Sequence, residues 1–205
     1  MNKLFLSLGL VAATAFGQYK LESAGAPPSE LAPEIRDALE KDGARIAGPG
    51  GAFCEVWLRV KVPAGSNSEQ NVSFTQMPHG VLLGAIRFPA KGADRRGQAL
   101  KPGVYTMRLS FFPVDGAHQG VAQTRDFALL TPAADDKDLN ATPNYQQLVD
   151  MSKKASGTPH PAILNVWKAD SAGPATLKQE GDDWVLYSTV GDRPIAIIVV
   201  GTYAG

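Results

Sequence analysis

Cys54-Glu55-Val56-Trp57-Leu58-Arg59-Val60-Lys61-Val62 is the stretch on which the fold turns. Cys54, Val56, Leu58, Val60 and Val62 fall on one face, and Glu55, Trp57, Arg59 and Lys61 on the other, because successive side chains of an extended chain point to opposite sides. Period two with one apolar face is the signature of a strand laid against a core. The turn Gly48-Pro49-Gly50-Gly51 leads into it, and Pro63 to Ser68 leads out.

Working outward, the same reading predicts strands over Val72–Thr75, Val81–Phe88, Val104–Phe112, Phe127–Leu130, Ile163–Trp167, Ala175–Gln179, Trp184–Thr189 and Ile195–Tyr203. Their separators are rich in Gly, Pro, Asp, Asn or Ser, each of which favours a tight change of direction. Two short helices interrupt the pattern. One carries Leu31, Ile35, Ala38 and Leu39 at helical spacing and stops at Gly43; the other starts with Thr142 as its cap, takes Pro143 in its first turn and ends at Gly157. About nine strands, short turns and two short helices predict an all-β fold, an antiparallel β-sandwich or jelly roll.

Leu100-Lys101-Pro102-Gly103-Val104-Tyr105-Thr106 is a turn running into an alternating strand. It resembles the strand start of many exported bacterial β-sandwich modules, immunoglobulin-like and prealbumin-like domains among them. The fuller pattern resembles uncharacterised exported bacterial proteins. The resemblance implies fold class and lends no activity to any residue.

Lys3 is the only charge before Lys20, and Leu4 to Phe16 is apolar or small throughout. A basic end, a short apolar middle and small residues at Ala15 and Gly17 predict a secretory signal over residues 1–17, cleaved after Gly17, with Ala15 the alternative. The run is shorter than the about 20 apolar residues a membrane span needs, so no transmembrane anchor is expected in the mature chain. Residues 18–29, with Pro27 and Pro28 adjacent, read as a flexible N-terminal lead, and 30–205 as a single domain. The expected localisation is periplasmic or secreted. Removing Lys3 leaves 19 basic against 20 acidic residues, without the basic stripe that nucleic acid requires. The single cysteine, Cys54, rules out an internal disulfide, so burial and hydrogen bonding must hold the fold.

The three histidines each lie in a turn: His79 in Met-Pro-His-Gly, His118 in Asp-Gly-Ala-His-Gln-Gly and His160 in Thr-Pro-His-Pro. Loops at the end of a rigid β framework display binding groups. Three converging imidazoles, with Asp115 or Asp126 beside them, would suit a divalent metal such as zinc, copper or iron with an open position. The competing reading is three turn histidines bonded to nearby backbone.

Between two strands, Arg125 and Asp126 close a Gly-bearing loop and offer a fixed ion pair, or a fork for a carboxylate with an acceptor beside it. Trp57, on the polar side of its strand, is either core or part of a sugar platform with Trp167, Trp184, Tyr187 and Tyr203. Cys54, on the apolar side, lacks a partner base, and no Gly-x-Ser-x-Gly elbow occurs. Catalytic residues are therefore not assigned. The function expected is an exported envelope module, binding or structural, acting on an envelope component or small ligand. The alternatives are a metal-binding protein or metal-dependent enzyme built on the turn histidines, and a carbohydrate-binding module.

Overall fold

The computed structural model describes residues 19–114 and 124–201. In chain order its elements are β1 (Lys20–Gly25), α1 (Pro33–Asp37), β2 (Gly43–Gly48), β3 (Gly51–Leu58), β4 (Leu82–Phe88), β5 (Gly92–Ala93), β6 (Ala99–Leu100), β7 (Gly103–Phe111), β8 (Asp126–Pro132), α2 (Tyr145–Ser156), β9 (Ile163–Lys168), β10 (Thr176–Glu180), β11 (Asp183–Val190) and β12 (Arg193–Val200).

Ten strands form one antiparallel sheet in the order β1-β2-β3-β4-β7-β8-β9-β12-β11-β10, and β5 and β6 make a small hairpin of their own. The edge strands β1 and β10 approach each other, so the sheet nearly closes into a barrel. The all-β, antiparallel expectation holds. One continuous sheet that curls on itself stands in place of the two facing sheets of a sandwich. The chain leaves β9, crosses to the far edge as β10, and returns through two hairpins to set β12 beside β9.

Alternation decides what lies inside. Cys54, Val56 and Leu58 of β3, Tyr105, Met107, Leu109 and Phe111 of β7, and Ile195, Ile197 and Val199 of β12 all enter one interior cluster. The outward residues are sheltered by different means. Trp57, Leu82, Ala85 and Val104 pack beneath Leu31, Ile35 and Leu39, and Phe127, Leu129 and Ile163 pack beneath Leu148 and Val149 of α2. The capping box of α2 is made by Asn144 and Gln147, and the helix ends at Gly157, whose φ of 66° is the left-handed stop that glycine accepts most easily.

Several expectations are corrected. The 18–29 segment contains β1, which is paired along its length with β2. Gly43, read as a helix stop, begins β2. A Cβ there would sit 2.5 Å from Trp57 Nε1, so glycine is what lets β2 pass the indole. The first helix is confined to Pro33–Asp37, because Leu39 bridges to Arg59 in extended form. β3 ends at Leu58, and Val60 is turned to solvent. Val72–Thr75 is not a strand; there the Ser73 and Phe74 amides donate to Asp126 instead of to a neighbouring strand.

Candidate functional site

On the outer surface of β9, β12, β11 and β10, cross-strand pairing sets Trp167, Ala196, Tyr187 and Thr176 in one row. Leu177 of β10 packs toward the interior, so Thr176, Lys178 and Glu180 face outward. Tyr187 is fixed on three sides. Its hydroxyl donates to Glu180 Oε1, the Lys178 ammonium lies 4.9 Å from its ring centroid, and the Trp167 ring meets it edge-on with centroids 6.5 Å apart. Burial, then the bond to Glu180 and the charges of Glu180 and Asp170, push the phenol up to about 12. It therefore stays a neutral donor across the physiological range.

The crossover from β9 to β10, Ala169 to Pro174, lines this row to form an open groove of about 460 Å³. Asp170, Ser171, Thr176, Lys178, Glu180 and Ser188 supply its polar groups. That size is within the range of small-molecule sites, and the lining is a handful of placed polar groups around one aromatic ring. Within the lining the Tyr187 hydroxyl is held by the Glu180 carboxylate, and the placed donors and acceptors around the ring suit recognition of a polar ligand.

The residues singled out from sequence are placed as follows. His79 is half-buried; its Nε2 lies 3.0 Å from Ser110 Oγ and its ring is 6.0 Å from that of Phe111. Burial holds its pKa below the usual histidine value, against the Pro143 carbonyl and the Glu69 charge. His160 is exposed, and its turn is tied through its backbone: its N–H donates to Thr158 Oγ1 and its carbonyl accepts from Ser156 Oγ at 2.6 Å. His118 and Asp115 lie outside the described residues, as does Tyr203. Among the described residues no three His, Cys, Asp or Glu side chains are grouped to hold a metal ion.

Arg125 and Asp126 do not pair with each other. Arg125 binds the Phe112 and Gln70 carbonyls and Glu69, and Asp126, fully buried, accepts from the Ser73 and Phe74 amides. Together they pin the 69–74 segment to the ends of β7 and β8. Trp57 is wholly enclosed, and its Nε1–H donates to the Gly25 carbonyl at 2.8 Å, which leaves no ring face for a ligand. Glu55, also buried, is gripped from the two neighbouring strands by Arg45 and Arg87.

Sequence reasoning named Trp167 and Tyr187 among five aromatics but not Lys178, Glu180 or Asp170. The outward alternation of Thr176, Lys178 and Glu180 was available as a signal. The pairing of β9 with β12, which brings Trp167 to Tyr187, had none. No family model matches the chain, and no curated protein or solved structure matches it.

Proposed function

We propose that the protein is an exported binding module of the cell envelope, with its ligand seat in the groove over Tyr187. The observation that carries this reading is the fixed Tyr187, held by Lys178, Glu180 and Trp167 on the floor of an open groove of about 460 Å³. Fixing a ring and its neighbours before binding lowers the ordering cost of association. Carboxylates at Asp170 and Glu180 accept hydroxyl hydrogens, and the Lys178 ammonium serves an acceptor or an anionic group. A small polyhydroxylated ligand, of which a saccharide is the obvious class, suits that set. The export half of the reading is supported by Lys3 and the apolar run Leu4–Phe16, and the resemblance of Leu100–Thr106 to exported β modules agrees with it.

Two measurements test the reading. N-terminal sequencing of the protein recovered from outside the inner membrane should begin at Gln18; an intact Met1 would overturn export. Amide-shift titration with a panel of soluble oligosaccharides should move resonances of Asp170–Thr176 and Tyr187, and Tyr187→Ala should weaken the response at least tenfold. Shifts confined to other faces, or none, would overturn the groove as the seat.

A further inference from the structure

The barrel wall is incomplete at one place. β10 begins at Thr176, opposite Tyr187, so Ser188, Thr189 and Val190 of β11 pair with β12 on one side and with no described strand on the other. Across the opening, β1 pairs with β2 alone. A groove of about 470 Å³ lies there, with Leu21, Glu22 and Ser23 on the β1 side, Ser188 and Thr189 on the β11 side and Gly173–Ala175 bordering it where the chain enters β10, the Thr189 hydroxyl donating to the Gly173 carbonyl.

We propose that this notch is a strand-addition site, in which an extended segment of a partner protein bearing Lys or Arg side chains enters between β1 and the Ser188–Val190 end of β11. The proposal does not depend on the groove over Tyr187.

Three features support it. First, a strand edge without a neighbour displays a row of backbone N–H and C=O groups, a ready template for another chain. Here the free edge of β1 faces the groove, and across from it Thr189, the residue of this end whose N–H and C=O point away from β12, offers one further pairing position. Second, the unpaired end of β11 is short: Ser188 to Val190 spans roughly 10 Å at about 3.3 Å per residue. The length suits a local extended motif and not a whole edge strand. Third, Glu22, Glu40 and Asp42 line the groove and no Lys or Arg does. Asp42 is already engaged by Ser23 Oγ at 2.6 Å and the Gly25 amide at 2.8 Å. Glu22 is exposed, and half-buried Glu40 accepts from the Leu58 amide at 3.2 Å through one oxygen, which leaves Glu22 and the other Glu40 oxygen to meet an entering cation. Main-chain pairing supplies affinity in such complexes, and the side chains selected by the lining supply specificity.

Panning a displayed library of random octapeptides on the purified exported protein tests this directly. The expected result is enrichment of extended sequences with Lys or Arg at alternate positions. A selected peptide, made synthetically, should bind saturably by fluorescence anisotropy and slow hydrogen exchange at Leu21–Ser23 and at Thr189. N-methylation of alternate amides in that peptide should abolish binding, because it removes the donors needed for pairing. The double variant Glu22→Gln/Glu40→Gln keeps shape and acceptor oxygens, and should weaken binding about tenfold through lost charge complementarity; Tyr187→Ala should bind as the parent does. The proposal is overturned by a library that yields no basic preference, by an N-methylated peptide that binds equally well, or by protection that maps elsewhere. Sedimentation that finds a dimer protecting these same amides without peptide would assign the notch to a second copy and overturn it too.

Discussion

Arg108 is a fully buried cation on β7, and each of its N–H groups has an acceptor. Nε and Nη2 bind the two oxygens of Asp136 at 2.7 and 2.8 Å, while Nη1 and Nη2 reach the carbonyls of Gly80, Ala141 and Asp138. One side chain thus ties the 136–141 loop and the turn at Gly80 to the sheet. Its truncation would strand the Asp136 carboxylate in the interior, beside Thr106 Oγ1 alone. Arg108→Met should therefore cost about 3–5 kcal/mol in urea denaturation, and Arg108→Met/Asp136→Leu should recover part of the loss. The sequence placed Arg108 on one face of a strand but gave no sign of its partner 28 residues away. His79 makes a second prediction. Because burial lowers its folded-state pKa, the unfolded chain takes up a proton first as pH falls below about 6.5. Stability is thus fully present above that value and is lost on acidification down through the folded pKa. The melting temperature should fall between pH 7.5 and 5, and His79→Asn should flatten that dependence; an unchanged slope would remove His79 as its cause.

Among the elements, α2 shows how near a local reading comes. Thr142 and Pro143 are good opening residues for a helix, yet the reciprocal bonds are made by Asn144, whose side chain accepts from the Gln147 amide at 3.0 Å. Asn144→Ala should cost about 1 kcal/mol in chemical denaturation, while Thr142→Ala should leave stability nearly unchanged. The strands β3 and β7 were legible because their interior residues alternate, Cys54, Val56 and Leu58 in one and Tyr105, Met107, Leu109 and Phe111 in the other; β4, β9 and β11 were legible from dense apolar runs between turns. β1 and β2 were not. Lys20–Gly25 contributes only Leu21 to the interior and Gly43–Gly48 chiefly Ile46, too few positions to establish a period. Their importance is tertiary: the Gly25 carbonyl satisfies the indole N–H of Trp57. Deleting residues 18–25 should unseat that ring, seen as a red shift of tryptophan emission and a lower melting temperature.

At the scale of the whole molecule, alternation tells which face a residue takes but not which strand lies beside it. That is why the all-β class was readable while the single curling sheet, and the groove that depends on β12 lying between β9 and β11, were not. The same closure encloses Cys54, which is fully buried and whose thiol is pushed far up by burial and by Glu55. The thiolate is the reactive form of cysteine, so the folded chain carries a silent group that awakens only when the wall parts. Iodoacetamide should leave the native mass unchanged for as long as the barrel stays shut, then add one carbamidomethyl group at a rate set by the free energy of opening. Rapid alkylation without denaturant would contradict that enclosure. If the chain is exported to oxidising surroundings, as proposed, the consequence is a timer: every visit to the open state exposes one sulfur, and pairing of two such sulfurs between chains would record the failures of the fold as covalent dimers.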